Sequence, residues 1–134
     1  MSSRGTKVVL DDSFVANEAL TQYQAVVYDT SEEGHIAKPT TALETCAGIV
    51  QEKATASGDV VRVVQIGKSK VIAGQADTID EVIGIHDVDG RVSCPDTADW
   101  ASGDGIIGHY EESPTASGDI VTAYINIHQL IGMS

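Results

Sequence analysis

AGIVQEKATASGDVVRVV, residues 47–64, returns sixty residues later as IGHYEESPTASGDIVTAY, residues 107–124. Gly48 matches Gly108, Glu52 matches Glu112, Val61 matches Val121, and Thr55-Ala56-Ser57-Gly58-Asp59 is identical to Thr115-Ala116-Ser117-Gly118-Asp119. Each copy reads as an apolar run, a small polar connection and a second apolar run, the pattern of a β-hairpin. Gly58 and Gly118 supply the positive φ that a tight connection requires, and Asp59 and Asp119 can bond their own backbone. Five identical residues inside a kept apolar frame make chance recurrence a poor explanation. A solenoid needs at least three stacked units, so two copies read as one hairpin used twice. A third Ala-Ser-Gly-Asp, at Ala101–Asp104, lies in a different setting.

Outward from the repeat, the chain continues as strand, turn, strand. Apolar runs at 7–10, 25–29, 35–38, 46–52, 59–66, 70–74, 81–85, 90–94, 104–110, 119–125 and 128–132 are broken by Gly, Pro, Asp and Ser. Strands recurring every roughly eight to twelve residues belong to all-β folds, here a small β-barrel or β-tulip-like sandwich of about 8–11 short strands with little helix. In 59–66, Val61, Val63 and Gln65 face one way and Val60, Arg62, Val64 and Ile66 the other, with neither face uniformly polar. A tight turn is expected at Gly67-Lys68, and residues 11–23 are the one stretch whose pattern allows a helical turn. Residues 1–15 read as a flexible N-terminal arm and 16–134 as a single β domain holding both hairpins.

Composition narrows the function. The 134 residues are 42% hydrophobic but 4% aromatic, so the core is expected from Val, Ile, Ala and Leu, which suit strands. Eight Lys and Arg stand against 20 Asp and Glu, a net charge of −12. Such a chain is repelled by phosphate backbones and by anionic membranes, so neither nucleic acid nor membrane is an expected partner. No apolar run approaches the ~20 residues of a membrane helix, and no signal-peptide pattern follows Met1, so a soluble protein made in the cytoplasm is expected. Cys46 and Cys94 form no CxxC and are expected as thiols.

No catalytic constellation is legible. Nucleophile elbows, phosphate-binding Gly loops and HExxH pairs are absent, and no spacing links His35, His86, His109 and His128. Asp87-Val88-Asp89-Gly90 opens like a calcium loop but lacks its third ligand position and its distal Glu, so it reads as a turn. Glu32-Glu33 and Glu111-Glu112 are neighbours that a strand would point to opposite faces. No catalytic residue, cofactor or metal is expected.

The stretch from Gly48 to Gly74, GIVQEKATASGDVVRVVQIGKSKVIAG, together with the hairpin from Ile107 to Val121, resembles the small decoration or cement proteins of tailed-phage heads. The resemblance covers roughly residues 20–130 and rests on β patterning and Gly positions. It implies a compact β domain, a homotrimer on the outer head surface of the virion, and binding across neighbouring major capsid subunits that braces the shell. It also implies an N-terminal arm that adds a strand to the lattice, for which Lys7, Val8, Val9 and Leu10 are the candidates. An ordinary first strand is the equal alternative. Trp100, the single Trp, suits either an interface anchor or a local lid. A tail or head-fibre base component and a small β-barrel ligand-binding module are the competing functions.

Overall fold

The computed structural model of the chain describes residues 8–95, 100–101 and 104–129. Nine strands and no helix form among them: β1 (Val8–Ala16), β2 (Ala25–Tyr28), β3 (His35–Ala37), β4 (Gly48–Val50), β5 (Val60–Ile72), β6 (Val82–Ile85), β7 (Val92–Ser93), β8 (Gly105–Tyr110) and β9 (Ile120–Gln129). The fold is all-β, built on closed barrels. β1-β3-β2-β4-β5 pair in that order, and β1 returns onto β5, from Val8 opposite Gly67 to Val15 opposite Val60. This closes a five-stranded ring and leaves it without open edges. The second half repeats the construction: β5-β9-β8-β6-β7 pair in order, and a parallel bridge from Ala73 to Val92 brings the last strand back to the end of β5. Thus β5 is a wall of both rings.

The two halves correspond in their backbone bonds, offset by 57 residues at their start, 56 at Ile36 and Val92, and 60 at their hairpins. Tyr23 N donates to Val50 O at 2.8 Å, and Asp80 N to Tyr110 O at 2.8 Å. Tyr23 and Asp80 share a positive φ, 70° and 76°. Asn17 N donates to Ile36 O at 2.9 Å, and Gly74 N to Val92 O at 2.8 Å. Core positions correspond too: Val26 with Ile83, Ile36 with Val92, Ala47 with Ile107 and Val63 with Ala123, all fully buried. Phe14 gives way to Val71 while Val50 gives way to Tyr110, so each ring keeps one large aromatic on a different wall. Swaps that conserve total volume are those a packed core tolerates. On the first ring's outer face Ala25, Ile49 and Val64 are also fully buried, because they join the second ring's core cluster, while Val60 and Arg62 nearer the turn stay exposed. That is why neither face of the 59–66 run is uniformly polar.

Several local expectations are overturned by pairing. Gly67-Lys68 is not a turn. Gly67 faces Val8 on one side and Ile125 on the other, so β5 runs on for 13 residues through both expected strands. Residues 11–16 are extended, because pairing with β5 supplies their backbone partners.

Candidate functional site

The two hairpin connections are the most regular surface features. Asp59 Oδ2 accepts from Thr55 N at 2.8 Å, Thr55 Oγ1 at 2.9 Å and Ala56 N at 3.2 Å. Asp119 Oδ2 repeats the set with Thr115 N, Thr115 Oγ1 and Ala116 N at 2.8, 2.9 and 3.1 Å. The Thr amides and hydroxyls hold both carboxyls below the ordinary Asp range, because these bonds favour the charged form. Gly58 and Gly118 take φ of 99° and 93°, with open space where a Cβ would stand. Each turn is tied to the end of a neighbouring strand: Gly58 N donates to Ala16 O at 2.8 Å, and Gly118 N to Ala73 O at 2.7 Å. Glu52 and Glu112 close the hairpins by accepting from Arg62 N and Thr122 N, both at 2.7 Å. Asp104, in the third Ala-Ser-Gly-Asp, likewise accepts from Ala101 N at 2.7 Å. The shared tetrapeptide is thus a local turn device.

Directly after the turns stand Val60 and Ile120, 65% and 55% exposed. Val60 begins β5, and Ile120 pairs with Ile72 at its far end. The two turns therefore sit at opposite ends of one strand up to about 40 Å long. Of the residues assigned to an arm, Val8–Leu10 lie in β1 against β5, Leu10 is 46% exposed, and Lys7 falls outside the described residues. Trp100 is half-buried, its ring over Gly84 of β6 beside Leu43; a Cβ at Gly84 would lie 3.1 Å from the ring and 2.9 Å from Leu43.

Ionisable groups meet in few places. His86 Nδ1 and Ser93 Oγ lie 2.9 Å apart beside a hollow of about 310 Å³ that Leu43, Gln75 and Cys94 help to line. Ser93 is buried, and among the described residues no carboxylate bonds His86, so nothing orients the imidazole as the base of an accessible nucleophile. Burial pushes the Cys46 thiol up to about 12. Asp87 spends its carboxylate on Arg91; burial opposes its charge, but the Arg91 bonds outweigh it and lower the carboxyl. That pairing gives the Asp87–Gly90 turn its own cation. Among the described residues no group of three or more His, Cys, Asp or Glu could hold a metal ion. Sequence reasoning missed the joins between halves, such as Gln24 Nε2 donating to Asp89 O at 2.9 Å, because residues 65 apart carry no local signal.

No protein-family model matches the chain, and no curated protein matches it. Among solved structures, the chain is similar to the N base of the head fibre protein gp8.5 of bacteriophage phi29, with a TM-score of 0.63 and 17% identity, over 87% of this chain and 93% of that one. At that identity the likeness is one of fold alone.

Proposed function

We propose that this chain is a structural, non-enzymatic protein of a tailed-phage head: a decoration or cement protein that binds the major capsid lattice from outside, as a homotrimer, and stabilises the shell. The observation that carries the reading is the architecture held in common with a phage head-fibre base over 87% of the chain. It agrees with the resemblance of residues 48–74 and 107–121 to decoration proteins. The surface fits a protein partner. It is acidic and offers exposed apolar side chains at the ends of its longest strand, whereas among the described residues the hollows bring no reactive constellation together. Many copies on one lattice add weak contacts into firm attachment. Lys7, Val8, Val9 and Leu10, with Trp100, remain the proposed lattice contacts; the exposure of Leu10 and the half-exposed Trp100 ring support them.

A second reading is the base of a head fibre, favoured because the structural neighbour is itself the N base of one. One experiment separates the two. Heads lacking this protein, from the phage that encodes it, are mixed with the purified chain and sedimented. Decoration predicts saturable co-sedimentation at many copies per head and heads that resist heating better. Attachment at a few copies, with no gain in head stability, supports the fibre base; no attachment sinks both.

A further inference from the structure

We propose that copies of this chain join head to tail, the acidic turn Asp29–Gly34 of one copy seating on the outer face of β6, β8 and β9 of the next. The internal duplication points to it, because a turn of this kind already covers a face of this kind once inside the chain. In the first ring the outer face is covered: Ala25, Ile49 and Val64 are each 0% exposed. Part of the cover is the turn Asp87–Gly90 of the second half. Gly90 O accepts from Ala25 N at 2.9 Å, Asp89 O accepts from Gln24 Nε2 at 2.9 Å, and a Cβ at Gly90 would lie 2.6 Å from Ala25 O.

In the second ring the corresponding face is open. Val82, the counterpart of Ala25, is 44% exposed. His109 and Tyr124, the counterparts of Ile49 and Val64, are partly exposed and stack at 5.7 Å beside a hollow of about 220 Å³. The covering turn has its own counterpart, whose Gly34 O accepts from Val15 N at 2.8 Å and whose Glu32 lies 3.6 Å from His35 Nε2, both within its own ring; among the described residues it covers no sheet face of the other ring. Gly34 has φ 77° against 76° at Gly90, yet open space surrounds it, and residues 30–34 are all exposed. One chain thus presents an uncovered face at one end and an idle cover at the other. Their chemistry matches: Glu33 on the turn, with Glu32 beside its His35 partner, offers acceptors, and the Tyr124 hydroxyl and the His109 ring on the face offer donors.

A second copy cannot repeat the internal placement strand for strand. Inside one chain β5 runs on from one ring into the other, a continuity that two separate copies lack, so the contact is turn on face. Such a heterologous contact closes into a ring or runs on as a filament, and a closed ring supplies a homotrimer; that closure at three copies rests on the proposed head-surface function, the contact itself does not.

The test is sedimentation velocity on the purified full chain, without heads, over a range of concentrations. The natural chain is expected to associate as concentration rises. A face variant, Val82→Glu with His109→Glu, and a turn variant, Glu32→Lys with Glu33→Lys, are each expected to stay monomeric. Mixed one to one, the two variants are expected to form dimers and nothing larger, since one keeps the turn and the other the face. A natural chain monomeric throughout, variants that associate like it, or a mixture without dimers would each overturn the contact. Should the face variant not fold, the turn variant, altered at exposed positions, decides alone. A monomeric chain that still coats heads defeats this contact and spares the head-surface reading; association without head binding does the reverse.

Discussion

Asp59 and Asp119 each gather three donors onto one oxygen, and that makes stability sensitive to acid. Their folded pKa values lie below the ordinary value, as does that of Glu112, which the Thr122 amide holds down first. A depressed carboxyl stabilises the fold above its unfolded pKa, and that contribution is lost as pH falls through the folded value. The thermal midpoint is therefore expected to hold steady above about pH 5 and to fall below about pH 4. Asp59→Asn with Asp119→Asn keeps an acceptor but no charge, so its midpoint should fall less steeply over the acid range. Equal slopes in the two proteins would rule out these carboxyls as the cause. The glycines give a second prediction. A Cβ at Gly48 would lie 2.5 Å from Val64 O, and one at Gly108 would overlap Tyr124 O, whereas Gly58 and Gly118 face open space. Gly118→Ala should cost about 1–2 kcal/mol, the left-handed penalty alone. Gly108→Ala adds backbone overlap and should cost more than about 3 kcal/mol. Urea denaturation midpoints measure both, and equal losses would contradict the close approach.

At the scale of elements, each ring needs its strand ends fastened, and the second ring uses a polar fastening that the first lacks. Tyr110, at the end of β8, is fully buried, and its hydroxyl donates to Asp77 Oδ2 at 2.8 Å and lies 3.3 Å from Val92 O. Asp77 Oδ2 also accepts from Cys94 N at 3.0 Å, so this carboxylate joins β8 to the chain leaving β7. Burial, with Asp77 beside it, raises the hydroxyl well above the ordinary Tyr range. Tyr110→Phe keeps the volume and removes the bond; a loss of about 1–2 kcal/mol is expected in chemical denaturation. No loss would mean that Cys94 N alone suffices. The corresponding site in the first ring holds Val50, fully buried and apolar, so Val50→Tyr should cost at least as much, through crowding against Phe14. The hairpins themselves were legible, because Thr55, Gly58 and Asp59 act within five residues of chain. The rest of the duplication was not. Tyr23 and Asp80 share a backbone conformation and no side-chain chemistry, and Ile49 and His109 share a position but not an environment.

At the scale of the molecule, two rings share β5, and the first ring's outer face lies in the second ring's core. Neither ring can open without exposing the wall of the other, so the chain is expected to unfold in one cooperative step. Hydrogen exchange should show Val63 and Ala123, in different rings, opening with the same free energy, and Val63→Ala should lower both alike. Separate transitions for the halves would contradict the shared wall. Turn chemistry, β-rich composition and the twofold use of one hairpin were readable along the chain, since each is expressed between residues that covalent geometry already keeps close. Ring closure was not readable: Val8 meets Gly67 and Ala73 meets Val92 across long stretches of chain, and Gly67 is strand and not bend because it has neighbours on both sides. Those partners exist only once the chain has folded. Which apolar face becomes core and which stays open to a neighbour was therefore settled by packing.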